Sequence, residues 1–190
     1  MELALPPEWD VDLPTDRPLT VDDYLRLPEG PPHFELIDGA ITVNPQPTPA
    51  HARVAGRLFL ALHRECPPHL EVFANPVDWA ADEHNVLEPD LTVVHQADVG
   101  EKRLVGAPLL AIEILSPSTR KRDLTAKRAI YERGGVAAYW IIDPAGPRFV
   151  ALELDARSGT YVERADLTGD GTFETTVPFP VAIDVAALVT

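Results

Sequence analysis

The chain has 190 residues, 45% of them hydrophobic, and a formal net charge of -14 at pH 7. That length suits one domain with a substantial core, and no apolar run approaches the length needed to span a membrane. The acidity excludes non-specific attraction to nucleic acid or to an anionic membrane surface.

A single cysteine, Cys66, cannot form an internal disulfide and fits a reducing compartment. Glu2, Glu8, Asp10 and Asp12 stand where an export signal needs basic residues, so the expected location is the cytoplasm.

Residues 1–17, rich in proline and acid and without periodicity, read as a flexible tail. Residues 18–190 read as one domain without repeats. Thr20-Val21-Asp22-Asp23 predicts a capping box, with Asp in place of Glu, opening a short helix that ends before Pro28. Residues Phe34 to Val43 hold two short apolar strands around Asp38-Gly39, a strong hairpin signal. Thr48 and Pro49 supply an N-cap and first-turn proline for a helix through about Glu65. On it His51, Ala55, Leu58 and Leu62 form a core-facing stripe. Arg53, Arg57 and Arg64 lie on another face.

Leu70–Trp79 and Leu91–His95 read as strands. Leu109-Leu110-Ala111-Ile112-Glu113-Ile114-Leu115 reads as a strand buried on both faces, with one carboxylate inside it. Such a carboxylate costs several kcal/mol unless it is partnered. A helix from about Asp123 to Arg133 follows, then a buried strand at Ala138–Ile142. Alternating stretches from Arg148 onward predict hairpins, with turns at Asp155–Gly159 and Gly169-Asp170-Gly171.

The connection between the Leu91–His95 and Leu109–Leu115 strands is too short for a crossover helix, so antiparallel pairing is expected. Symmetric pairing sets residue 90 opposite residue 114 and brings Asp90 and Glu113 to the same end of the sheet. The Glu113 strand, the Asp123 helix and the Trp140 strand form a βαβ unit whose helix starts near that end. On a helical wheel Lys127 falls between Ile130 and Tyr131 with Leu124 adjacent, an apolar face that suits an ammonium only if it reaches a carboxylate.

Taken singly, each of these residues is explained more simply as a loop end or a structural ion pair. Together at one sheet edge they point to a site. Two close carboxylates repel unless a divalent cation lies between them, and oxygen donors suit Mg²⁺ or Mn²⁺. A lysine beside such an ion suits hydrolysis of a phosphodiester. Glu35 is a candidate third carboxylate, equally well read as a solvated strand-edge acid. His51, at a helix start, is a candidate ligand or proton acceptor, or else a capped core histidine. Tyr131 is expected to pack in the core.

Pro89-Asp90 followed by Glu113-Ile114-Leu115 resembles the PD-(D/E)XK nuclease signature, with Leu115 where that signature ends in lysine. Phe34-Glu35-Leu36-Ile37-Asp38-Gly39, His51, Ser116-Pro117-Ser118, Asp123, Lys127, Tyr131 and Gly135 to Pro144 extend the likeness. As a set, they resemble the Uma-type family of restriction-endonuclease-like proteins.

The resemblance implies an α/β, restriction-endonuclease-like core with a central mixed sheet flanked by helices, plus a C-terminal β-hairpin extension. It implies Asp90 and Glu113 as metal ligands and a catalytic lysine moved from the strand to the helix, at Lys127. The expected activity is Mg²⁺- or Mn²⁺-dependent endonucleolytic hydrolysis of nucleic acid, DNA first. Glu35 and His51 would support the site, while Arg120, Lys121, Arg122, Arg53 and Arg57 would contact backbone phosphates. A homodimer is expected for cutting both strands.

The alternative is an inactive nuclease-fold module used for binding or assembly, which the overall acidity favours. Only Lys102, Lys121 and Lys127 are lysines against thirteen arginines. A lysine at 127 therefore suggests a need for a compact, deprotonatable amine. The triplet spacing of His63, Cys66 and His69 is broken by Pro67-Pro68 and does not suit structural zinc. Asp166 to Gly171 reads as a turn and not as a calcium loop.

Overall fold

The computed structural model describes residues 11–28, 30 and 32–190. The first ten residues of the expected tail lie outside the described residues. Arg17, at that tail's end, donates to both carboxylate oxygens of Asp23 at 2.7 and 3.1 Å.

Helix α1 (Val21–Tyr24) opens on the expected capping box, with Thr20 and Asp23 each bonded to the other's backbone. Strands β1 (Phe34–Ile37) and β2 (Ala40–Val43) form the expected hairpin. Its turn holds Asp38 at φ 48° and Gly39 at φ 74°, the left-handed conformations that a tight hairpin turn requires. Helix α2 (Pro49–Glu65) starts at the Thr48 cap and buries Val54, Leu58 and Leu62.

The Leu70–Trp79 stretch is not one strand. Strand β3 (Leu70–Phe73) ends before Asn75-Pro76, where proline removes a ladder donor. Trp79 begins β4 (Trp79–Asp82), which pairs with β5 (Asn85–Leu87) in a different sheet. A small four-stranded sheet therefore runs β2-β1-β5-β4, over a local core of Leu19, Tyr24, Phe34, Leu36 and Val86.

The central sheet adds β6 (Leu91–His95), β7 (Leu110–Ile114), β8 (Ala138–Asp143), β9 (Arg148–Asp155) and β10 (Thr160–Thr168), in the order β10-β9-β8-β7-β6-β3. Only β7 and β8 pair in parallel, so the sheet is mixed as expected. Strands β11 (Thr172–Thr175) and β12 (Val181–Asp184) make a separate hairpin. The helical crossover from β7 to β8 starts earlier than expected, as α3 (Arg120–Arg122). It continues as a π-helical turn (Asp123–Lys127) and ends as α4 (Arg128–Arg133). Helix α5 (Val185–Val189) closes the chain.

Both faces of β7 are covered, which is why its residues are all buried. Leu110, Ile112 and Ile114 join the core beneath α2, with Trp140, Phe149 and Phe173. Ala111 and Leu115 face the opposite core, with Ile130, Tyr131, Tyr139 and Trp79. Strand alternation puts Glu113 on that second face, toward α4.

Helix α4 is seated by its C-terminal glycine. A β-carbon at Gly134 would overlap the edge of the Trp79 ring, which itself stacks on Tyr131 with centroids 6.0 Å apart. Gly134→Ala is expected to cost about 1–3 kcal/mol through overpacking. Urea unfolding should then show a lower midpoint with an unchanged slope.

Candidate active site

Strands β6 and β7 are antiparallel, but their register differs from symmetric pairing by one residue: Leu91 faces Ile112 and Thr92 faces Ala111. The link between them holds a three-residue 3₁₀ turn (Gln96–Asp98) and inward backbone bonds from Gly100 and Val105, so it does not fold symmetrically. Continuing the observed register sets Asp90 opposite Glu113 itself. Asp90 Oδ2 accepts from the Ile114 amide at 2.7 Å, fixing the carboxylate against the neighbouring strand.

Lys127 Nζ donates to Glu113 Oε1 at 2.8 Å and lies 2.8 Å from Glu35 Oε1 and 3.7 Å from Asp123 Oδ1. Glu113 is 3% exposed, Lys127 2% and Glu35 fully buried. Glu35 is therefore no solvated edge acid. Alternation along β1 turns Phe34 and Leu36 into the small sheet's own core, and Glu35 toward the central sheet. Glu35 Oε1 also accepts from the Glu88 amide at 2.9 Å, and Arg122 Nη2 lies 3.3 Å from Oε2.

The helical wheel located Lys127 correctly for a partly wrong reason. The π turn inserts extra backbone per turn and shifts the positions before it. Leu124 is consequently exposed, and Asp123 takes the buried place. Tyr131 is in the core as expected, yet its hydroxyl also donates to Glu113 Oε1 at 2.7 Å. Asp123, Lys127 and Tyr131 sit four residues apart on one helical face, the signal by which Asp123 and Tyr131 could have been added to the site.

His51 is held in the first turn of α2, where its amide donates to the Thr48 hydroxyl. Its Nε2 lies 3.0 Å from Asp90 Oδ2, and its Nδ1 is buried without a hydrogen-bond partner. The five basic residues expected to meet phosphate are dispersed. Arg122 bridges Glu35 and Asn44, whose Oδ1 is 2.7 Å away. Arg120 pairs with Asp143. Arg57 donates to the carbonyls of Ala187 and Thr190. Arg53 is exposed on α2, and Lys121 is exposed on α3.

Burial pushes the Glu113 carboxyl well above its ordinary range, against the pull of Lys127. Asp123 is raised too, again chiefly by burial. Burial alone would lower the Lys127 amine, but Glu113, Glu35 and Asp123 outweigh it and raise its pKa. Three acids thus surround the amine and favour its charged form, against the deprotonatable amine expected from composition. Behind Glu35, Glu88 is pushed up to about 8 by burial and by neighbouring Asp78, whose own carboxyl is also raised by burial.

The cluster holds more acids than permanent cations. Among the described residues, Glu35, Asp90, Glu113 and Asp123 face Lys127 and Arg122 as permanent cations. Glu113 and Asp90 each commit one oxygen to protein donors, and no hydrogen bond from the described residues engages Glu113 Oε2 or Asp90 Oδ1. These hard oxygens on paired strand positions fit a divalent cation of the Mg²⁺ type. Among the described residues, no three His, Cys, Asp or Glu side chains converge as a metal cage. The fit is therefore to an open, two-carboxylate site.

The Uma2 family model, described as "Putative restriction endonuclease", matches residues 21–187. The crystal structure of "a putative nuclease belonging to DUF820" from Anabaena variabilis superposes with a TM-score of 0.70 at 20% identity. The alignment covers 90% of this chain and 98% of that one, and shows a shared fold. No curated protein matches the chain. No helix of the described residues is long and apolar enough to cross a membrane.

Lys127→Met strands Glu35 and Glu113 without their ammonium and is expected to cost about 3–5 kcal/mol at neutral pH. The raised Lys127 pKa keeps the amine charged through acid and neutral pH, so deprotonation removes its contribution only in strong alkali. In the variant, Glu113, buried without its ammonium, binds a proton more tightly folded than unfolded, so the deficit narrows as pH falls toward about 4. Denaturation of both proteins across that range checks the convergence; a pH-independent gap would contradict it.

Proposed function

We propose that this chain, which belongs to the Uma2 family, is a divalent-metal-dependent nuclease that hydrolyses phosphodiester bonds of nucleic acid, with DNA as the first candidate. The observation that carries the reading is the buried amine of Lys127 against Glu113, beside Asp90, which precedes β6 and accepts from the Ile114 amide. The family description and the shared fold support a nuclease.

Asp90 Oδ1 and Glu113 Oε2 are the oxygens that would hold the cation. When bound, the cation would supply Lewis-acid stabilisation of phosphoryl charge and a lower pKa for water. Ile114 and His51 orient Asp90, while Lys127 and Tyr131 orient Glu113. Lys127, fixed as an ammonium, stabilises negative charge developing on the phosphate and does not take the proton from water. His51 acts through Asp90: its Nε2 lies 3.0 Å from Asp90 Oδ2, while its Nδ1 is buried on the other side of the ring. Its Nε2 contact with Asp90 would keep the ring aimed.

Supercoiled, linear and single-stranded DNA incubated with Mn²⁺ or Mg²⁺ test the reading. Asp90→Asn and Glu113→Gln should each lower the cleavage rate by at least about 100-fold, and chelation should abolish it. Cleavage that survives both substitutions removes the assignment. Absence of cleavage on every substrate favours a binding module with a nuclease fold.

A further inference from the structure

The acids and Lys127 do not lie on an open face. They sit at the floor of a cleft of about 650 Å³. Lys127 and Glu113 are almost fully buried, and the Asp90 side chain is 23% exposed. A reacting phosphate must therefore enter the cleft. The rim includes Pro45, Pro47, Pro76 and Pro117, whose fixed φ angles stiffen it. A volume of this size falls within the range of about 300–1,000 Å³ typical of small-ligand sites.

The charge around the opening is the second observation. Specific duplex binding takes about 1,000–2,500 Å² of protein surface and a set of cations matched to phosphates. The permanent cations lining this cleft are Arg122 and Lys127, and both are bound to the chain's own carboxylates. Arg57 and Arg120 are likewise occupied, by carbonyls of the C-terminal helix and by Asp143. The formal net charge of -14 repels the remainder of a duplex.

The walls supply the third. Ala52, Ala55 and Ala74 give apolar surface, and Gln46 and Asn75 give amides suited to base edges. Among the described residues, no Phe, Tyr or Trp lines the cleft as an aromatic platform of the kind that tracks long single strands.

Resting on the phosphodiesterase reading above, we propose that the cleft takes a phosphodiester carried by about two unpaired nucleotides. The source is a free dinucleotide or the frayed end of a strand, and not the paired body of a duplex. One unpaired strand presents one scissile backbone, so a single copy of the chain suffices for it.

Fluorescence anisotropy in Ca²⁺, chosen to slow hydrolysis, measures the preference. The probes are a labelled thymidine dinucleotide, a duplex with a short unpaired tail, and the same duplex closed by hairpins at both ends. The dinucleotide and the tailed duplex should bind at least 10-fold more tightly than the closed duplex. Their relative affinities then distinguish the free dinucleotide from a strand end. Equal or tighter binding of the closed duplex overturns the proposal, as does binding of none of the three. Ala52→Trp, at an exposed position on the cleft wall, should weaken dinucleotide binding at least 10-fold with unchanged thermal stability; unaltered binding places the ligand elsewhere and overturns the proposal. Hydrolysis is read separately in Mn²⁺. Selective binding without hydrolysis of any probe supports the cleft's preference and removes the phosphodiesterase reading.

Discussion

The ammonium of Lys127 ties two sheets and a helix together. It lies 2.8 Å from Glu35 of the small sheet and 2.8 Å from Glu113 of the central sheet. None of the three side chains tolerates its burial alone, because a desolvated charge without a partner costs several kcal/mol. The β1 hairpin, β7 and the crossover helix must therefore dock in one arrangement for any of them to be stable. Tyr131 and Arg122 add further contacts to the same two carboxylates.

The same cluster carries more acid than base. Burial raises Glu113 and Asp123 by more than the Lys127 ammonium lowers them. A divalent ion between Asp90 and Glu113 would offset that excess of acid where the free carboxylate oxygens lie. The acidity elsewhere on the chain works against long nucleic acids, and the enclosed cleft works in the same direction.

Much of this was legible in the sequence because its strongest signals are local. The apolar run around Glu113, the Asp38-Gly39 turn and the Thr48 cap each specify their element within a few residues. The approach of Asp90 to Glu113 followed from one antiparallel pairing. Its register did not, since the turn at Gln96–Asp98 and the bonds of the loop beyond it are set by tertiary contacts with β4. The π turn left no composition signal, so the exposure of Leu124 and the burial of Asp123 were hidden. The place of Glu35 depended on how the small sheet faces the central one, which no short-range pattern encodes. The basic run at Arg120-Lys121-Arg122 showed charge without showing its partners. Asp143 and Glu35 are brought to it only by the fold.

Diffraction at the manganese absorption edge from a crystal soaked in Mn²⁺ tests the central claim most directly. The account predicts one anomalous peak per chain, bonded to Asp90 and Glu113, with the Lys127 ammonium retained beside it. A peak on other residues, or none at a concentration that saturates ordinary Mg²⁺ enzymes, would contradict it.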